Sequence, residues 1–464
     1  MLGFPLRYLS WLVAGLMAGT LAGCAAYHAR ALPAQPDTHS RLPAPQIKVT
    51  TLHLPGLIAH PFDARHGLDM TDVAILAVLN DPGLKTLRAR EAATSAQAFA
   101  AGLLPGPQLS YSRDRPTGDT TGLVDGRSVG LAYDLNTLVA SHFDKSAARA
   151  SAHEADLDVL WAEWQTAQQA RMLFVQITHD TRELGLLKQL HQVMDDRDQN
   201  LKNALKEGDV AYDTLGLELA AMQDVDARVD AIERDNNESR FALNQLLGLA
   251  PEVQLDLTDG TEDDVYPSDA QIGAALGILP QRRPDLIGLQ YAYQSADEAV
   301  RRAVVAQFPA INLGINRASD TSGIHTAGLS IGITFPFIAG GPASVHAAEA
   351  GRDAVWQEYQ QRLDEAVSDV HVVAADLKLI DTQLRRIQTD LRQTQGTSQA
   401  AHAAYVRGDL TAADYYNLVI TALNSQLQAA DLETEQQQLR IALSTQLGLP
   451  LTDLQHLALG EPSK

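Results

Sequence analysis

The chain has 464 residues, enough for two or three domains, and 45% of them are hydrophobic while only 5% are aromatic. This composition excludes collagen-like and low-complexity chains, and a formal net charge of −21 at pH 7 excludes a general nucleic-acid binder. A single cysteine excludes an internal disulfide and a thiolate metal site.

The N-terminus has the pattern of an export signal. Arg7 is the only charged residue before Cys24, and the apolar run 9–21 is shorter than the roughly 20 residues that a spanning helix needs. The sequence Leu21-Ala-Gly-Cys24 resembles the lipobox of bacterial lipoproteins. The resemblance implies that residues 1–23 are removed and that Cys24 becomes a diacylated N-terminus. The alternative is an ordinary signal peptide followed by a chance cysteine.

Two segments with helical periodicity, 70–103 and 284–307, each run into a proline, Pro107 or Pro309. In Arg282-Arg283-Pro284-Asp285 the proline suits the first position of a helix and the aspartate suits its first turn. We therefore expect this charged motif to start a helix and not to catalyse a reaction.

Two stretches that alternate between apolar and polar residues follow each of these prolines, as in half-exposed β-strands. Polar turns are predicted at 113–127 and 316–326, so each half supplies one hairpin, within Pro107–Leu135 and Pro309–Phe337. In the second half the alternation places four apolar residues on one face, namely Leu313, Ile331, Ile333 and Phe335. It places four polar residues on the other face, namely Asn312, Asn316, Ser330 and Thr334.

The remainder of each half is predicted to be long helix, because no proline occurs between Pro116 and Pro251 or between Pro342 and Pro450. About 60 such residues would reach roughly 90 Å. Glycines near 208 and 408 turn the chain back into a second helix of about 36 residues. A coiled-coil seam with period 3.5 is formed by Leu363, Val370, Val373, Leu377, Ile380, Leu384, Ile387 and Leu391.

Landmarks recur at a spacing of about 200 residues, which indicates an internal duplication. Leu243–Pro251 returns as Leu443–Leu451, and Lys206–Val210 returns as Val406–Leu410. The predicted organisation comprises a signal peptide (1–23), a lipidated N-terminal segment (24–64), a first repeat (65–249), an acidic linker (250–269), a second repeat (270–450) and a C-terminal tail (451–464).

Four strands are too few for a closed membrane barrel, since such barrels begin at about eight strands. An open sheet cannot sit in lipid, because its edges leave backbone groups unpaired. Three copies would give a 12-stranded transmembrane β-barrel, with the apolar face toward lipid and the polar face toward a water-filled lumen. The predicted fold is thus mostly α with a small β part, in which long coiled-coil helices continue from the barrel into the periplasm.

Over residues 65–450 the chain resembles the TolC-like outer-membrane efflux proteins, in their lipoprotein branch. The motifs are Gln281–Leu286, Phe308–Leu313 and Gly328–Phe337, and Ala101–Leu109 is similar to the heavy-metal efflux members. The resemblance implies a homotrimer in the outer membrane with a periplasmic α-barrel. It also implies a passive export duct for a tripartite efflux or type I secretion system, with a periplasmic adaptor (membrane fusion protein) and an inner-membrane pump as partners.

The same resemblance assigns roles to the turns between the long helices. Asp414 matches an aspartate ring that closes the periplasmic entrance, and Asn417 stands where some members have a second aspartate. Apart from the resemblance, Arg407, or Lys206 at the matching tip, could pair with the closed ring. Alternatively, Asp414 is an ordinary solvated acid, and Asp409 or Thr411 caps the second helix. The residues expected to contact the adaptor are Lys206, Gly208, Asp209, Gly408 and Asp409.

Nothing in the sequence resembles an enzyme site, so no catalytic residue, metal, cofactor or nucleic-acid partner is expected. The histidines are scattered, and His153, His325 and His371 share no ligand spacing. Two other functions compete with the duct. A periplasmic adaptor lipoprotein would have one coiled-coil hairpin, whereas a structural coiled-coil lipoprotein without a pore would not need the alternating strands. The cargo could be drugs, metal ions or a polypeptide, and its choice lies largely with the pump.

Overall fold

The computed structural model describes residues 28–41, 67–118, 121–208, 210–258, 267–335 and 341–448. The predictions for Cys24 and Asp209 lie outside these residues. Residues 28–38 belong to an N-terminal unit and are exposed coil. Among the described helices, none is both long and apolar enough to cross a membrane.

The unit that begins at His39 is mostly helical with a small sheet, and its elements occur twice in the same order. The first set is α1 (Met70–Asn80), α2 (Pro82–Ala101), β1 (Gln108–Asp114), β2 (Gly126–Asp134), α3 (Leu135–Glu207) and α4 (Tyr212–Leu246). The second set is α5 (Asp269–Arg282), α6 (Pro284–Val305), β3 (Ala310–Ser319), β4 (His325–Thr334), α7 (Gly341–Arg407) and α8 (Ala412–Leu447).

The predicted helix 70–103 is in fact two helices that meet at Asp81. The Asp81 carboxylate accepts hydrogen bonds from the backbone N–H groups of Gly83 and Leu84, at 3.0 and 3.2 Å. Pro82 occupies the first position of α2, where its missing N–H costs nothing. The start of a second helix at Pro82 therefore interrupts the single helix that the sequence predicted. The short α1 is buried over most of its length against α3 and α4.

The long helices α3 and α7 have 73 and 67 residues, which corresponds to roughly 110 and 100 Å. Each is followed by a glycine with positive φ, Gly208 at +83° and Gly408 at +80°, a conformation that side chains with a Cβ disfavour. The predicted seam of α7 packs inward against α8 and α5, and its fully buried members are Val370, Leu377, Ile380, Leu384 and Ile387.

The four strands form one antiparallel sheet in the order β1-β2-β3-β4, so the pairing of β2 with β3 joins the two hairpins. Two predicted boundaries are wrong. Leu135 is helical, because the Asp134 side chain accepts from the N–H groups of Asn136 and Thr137 and starts α3. The second turn is shorter than predicted, because Asp320 accepts from two N–H groups of a tight turn between β3 and β4.

The motif at the start of α6 is structural, as the sequence predicted. Arg283 is 3% exposed and forms two hydrogen bonds with the Asp285 carboxylate, at 3.0 and 2.6 Å. Its guanidinium lies 4.7 Å from the centroid of Trp161 in α3 and donates to the carbonyl oxygen of Gln446 in α8. Pro284 is the first residue of α6. This buried ion pair therefore connects three helices.

Candidate functional site

One face of the sheet is apolar across all four strands. In the register Leu313 lies between Tyr133 and Ile331, and Ile315 lies between Leu131 and Leu329. Directly opposed residues share a face. These side chains are unusually exposed for their type, for example 61% for Ile331 and 71% for Leu329. The full set is Leu109, Tyr111, Val129, Leu131, Tyr133, Ile311, Leu313, Ile315, Leu329, Ile331 and Ile333.

The opposite face consists of small and polar residues. A Cβ on Gly314 would lie 2.6 Å from the Ser330 hydroxyl, and one on Gly130 would lie 2.8 Å from the Ser110 hydroxyl. A Cβ at either glycine would force the serine hydroxyl to move, and glycine at these positions keeps the face free of bulky side chains. The register places the predicted polar residues here, namely Asn312, Asn316, Ser330 and Thr334. Within the described chain β1 and β4 each pair on one side only.

Three arginines continue the apolar face at its turn end, the end away from the helices. Arg113 stands directly opposite Arg127 in the β1–β2 register, and Arg317 stands opposite Val129. Asp125 forms an ion pair with Arg113. The sequence reasoning missed these arginines, although the signal was present: each of them occupies the apolar phase of its strand's alternation.

The turn between α7 and α8 is fixed by short polar contacts. The Thr411 hydroxyl lies 2.7 Å from an Asp414 carboxylate oxygen and accepts from the Asp414 N–H at 3.1 Å, so Thr411 caps α8. Arg407 donates to the Asp409 carboxylate at 2.8 Å. Within the described chain Arg407 thus pairs inside the turn, and its pairing with a ring of Asp414 from three copies stays a prediction. Gly408 forms the bend. The residues of this turn are exposed, namely Arg407, Gly408, Asp409, Thr411 and Asp414.

Two hydrogen bonds join the two helical hairpins near their tips. Arg197 of α3 forms an ion pair with Glu218 of α4 at 3.1 Å and donates to the Asn417 side-chain oxygen of α8 at 3.0 Å. Asn200 of α3 donates to the Tyr416 hydroxyl at 3.0 Å. The structure therefore gives the predicted gate residue Asn417 a partner that the sequence did not reveal.

The first-half tip residues Lys206 and Gly208 are exposed at the end of α3. Helix α4 begins after Ala211 without a side-chain cap. Lys206 lies in the last turn of α3, where a cation is favoured by the helix dipole. Both tips therefore bend at a glycine, and among the described residues a side chain caps the following helix only at the second tip.

A charged cluster lies halfway along α3 and α8. The Nε2 atom of His179 lies 3.2 Å from a Glu183 oxygen and 3.5 Å from an Asp431 oxygen, and its Nδ1 atom lies 2.8 Å from the Thr434 hydroxyl. Burial opposes protonation of the ring, but the hydrogen bond and the charges of Glu183 and Asp431 outweigh it, so the pKa of His179 is raised.

The same cluster is the one set of described residues with the spacing of a metal site, since its ligand atoms lie within 4.8 Å of one another. Arg228 lies 3.7 Å from Glu183 and already neutralises part of its charge. With no metal bound, the two carboxylates stabilise the protonated ring and raise its pKa. The His-x3-Glu spacing on one helix was the missed signal.

Comparisons with known proteins agree with this architecture. The sequence profile of the family described as outer membrane efflux protein matches residues 276–449. The chain is 25% identical over 339 residues to the multidrug resistance outer membrane protein MdtP of Escherichia coli K12, covering 68% of this chain and 69% of that protein.

Solved structures share the fold. The outer-membrane channel OprN superposes with a TM-score of 0.70 at 16% identity, over 92% of this chain and all of OprN. The open state of the Neisseria gonorrhoeae MtrE outer membrane channel superposes with a TM-score of 0.67 at 18% identity, over 82% of this chain and 89% of MtrE.

Proposed function

We propose that this chain, a homologue of the outer membrane efflux proteins, forms a trimeric outer-membrane duct that exports cargo from the periplasm. The observation that carries the proposal is the exposed apolar face of a sheet whose two edge strands are open. In water such a face and such edges would aggregate. In a closed barrel within lipid, both are satisfied.

Three copies of the sheet make a 12-stranded barrel, within the range of known membrane barrels. Edge strand β4 of one copy pairs with β1 of the next, which removes every edge. The apolar face then contacts lipid, and the small polar face lines a lumen that glycines keep open. The resulting pore is water-filled.

The long helices leave the barrel together and form a periplasmic α-barrel. Their turns, with Lys206 and Gly208 in one hairpin and Gly408 and Asp409 in the other, are the surface for a periplasmic adaptor, through which an inner-membrane pump delivers cargo. Cys24 carries the lipid anchor, and the barrel provides the stronger attachment.

The periplasmic end closes where three copies of each tip approach the axis. A ring of Asp414 carboxylates constricts the pore and attracts cations. The Arg197–Asn417 hydrogen bond holds the two hairpins of one chain together at this level. Opening requires this contact to break, which makes Asn417 part of the gate.

Native mass spectrometry and planar-bilayer recording on the full-length protein test the proposal. We expect a trimer and stable single-channel currents. A monomer without conductance would instead fit a periplasmic adaptor or a structural lipoprotein. Loss of residues 1–23 with a lipid adduct on Cys24 is expected in the same spectra, and an unmodified Cys24 would remove the anchor from the proposal.

A further inference from the structure

The turn end of the apolar face carries an excess of positive charge. Arg113 and Arg127 are directly opposed, and Arg317 lies diagonally next to Arg127 on the adjoining strand. All three are exposed. Directly opposed like charges destabilise a sheet, so an anion is needed between these guanidinium groups.

The described part of the chain supplies one such anion. The Asp125 carboxylate pairs with Arg113 and lies 3.9 Å from Arg115. Arg127 and Arg317 have no acidic partner within 4.0 Å among the described residues. Asp125 also attracts Arg127 at longer range. Neither Arg127 nor Arg317 forms an ion pair within the described residues, so both can contact an external anion, and their planar donor pairs match phosphate oxygens.

An apolar groove of about 640 Å³ lies on the same face beside Arg317. Val129, Leu131 and Leu329 are among the apolar residues that line it, and small residues such as Ala327 keep it open. A groove that is lined by apolar side chains and ends at the Arg317 guanidinium is complementary to a molecule with an acyl chain and an anionic head group.

We infer that Arg127, Arg317 and this groove bind a phosphate-bearing lipid of the outer leaflet. The phosphate contacts the two guanidinium groups and one acyl chain lies in the groove. The inference rests on the proposed function, because it places the apolar face in a membrane. The turn end then lies at the outer interface, where long cationic side chains keep their charge in the polar layer.

The test measures lipid bound to the full-length trimer by native mass spectrometry, with lipid A as the probe. The double variant Arg127→Gln/Arg317→Gln should retain at least threefold less lipid A than the unaltered protein. Arg317→Gln alone should lose about half. The matched control is Arg386→Gln, which removes an exposed arginine from α7 and should leave lipid retention unchanged.

Equal retention of lipid A by the double variant and the unaltered protein would overturn the inference. Equal retention of a galactosyl diacylglycerol, which lacks phosphate, by the unaltered protein would also overturn it. Bilayer recordings on the same samples separate the two proposals. Conducting channels with no difference in lipid remove only the lipid site, whereas an unaltered protein without conductance removes the duct as well.

Discussion

In the sheet, leucine and isoleucine side chains from all four strands are exposed, whereas in α7 residues of the same type are buried along one seam. The polar residues of the two regions also differ in burial and charge. The helices carry buried ion pairs such as Arg283–Asp285, and the polar face of the sheet carries small neutral side chains. The difference fits the proposed duct, in which lipid surrounds the sheet and water surrounds the helices.

The largest effect should come from placing a charge on the apolar face. Ile331→Lys puts one lysine per chain against lipid, at a cost of roughly 2–4 kcal/mol per site near the bilayer midplane. Because the barrel contains three copies, we expect little inserted trimer on heat-modifiability gels of outer-membrane fractions. Ser330→Lys, on the neighbouring residue, points to the lumen and should insert normally. Equal insertion of both variants would refute the assignment of the two faces.

The helical region should be most sensitive at its buried ion pair. Asp285→Ala leaves the Arg283 guanidinium buried without its carboxylate, which typically costs about 3–5 kcal/mol. We expect a lower thermal midpoint of the helical signal in circular dichroism, with insertion of the barrel retained. Glu433→Ala, which removes the partner of the exposed residue Arg182, should change the midpoint little. An Asp285→Ala midpoint equal to that of the unaltered protein would mean that α6 does not depend on this pair.

The cluster at His179 should make helix packing depend on pH. Its raised pKa means that the protonated ring stabilises the folded protein fully below the unfolded pKa of about 6.5, and that this contribution is lost as pH rises through the folded pKa. The groups that face the ring are Glu183 and Asp180 on α3, Asp431 and Thr434 on α8, and Arg228 on α4.

The measurement is the thermal midpoint of His179→Gln relative to the unaltered protein from pH 5.5 to 8.5. The variant should be less stable at the acid end, and the difference should shrink as pH rises. His191→Gln is the control, because His191 and Asp226 form a contact in which both side chains are exposed to water. A difference that stays constant with pH would indicate that the ring stabilises the fold while neutral.

The sequence predicted the four strands and the long helices because their patterns are local and continuous. Alternation of Ile311 to Ile315 and the heptads of α7 need no tertiary information. The break at Asp81 and the start of α3 at Asp134 were missed, since each depends on one carboxylate that caps a helix. The partners of the tip residues were also beyond the sequence. Arg197 and Asn417 are 220 residues apart, and only the packing of α3 against α8 brings them together.

The smallest effect is expected at the turn between α7 and α8, where the side chain with the proposed ring charge, Asp414, contacts the capping hydroxyl of Thr411. Asp414→Asn removes the charge of all three copies. It retains a side-chain oxygen that can accept a hydrogen bond from the Thr411 hydroxyl, so the cap that Thr411 places on α8 is kept. Cations bound between the carboxylates offset their repulsion in the closed ring and occupy the pore, and a neutral ring binds fewer of them. We therefore expect higher single-channel conductance and weaker block by divalent cations in planar bilayers, with an unchanged thermal midpoint.

Arg407→Ala provides the comparison, because it breaks an exposed ion pair with Asp409 that contributes at most about 1 kcal/mol. If Arg407 acts only within its turn, its loss should change conductance less than Asp414→Asn does. If both variants leave conductance and cation block unchanged, Asp414 is a solvated helix acid and the constriction lies elsewhere along the helices. In that case the contact between Arg197 and Asn417, which ties the hairpins together, becomes the first place to look for the closed state.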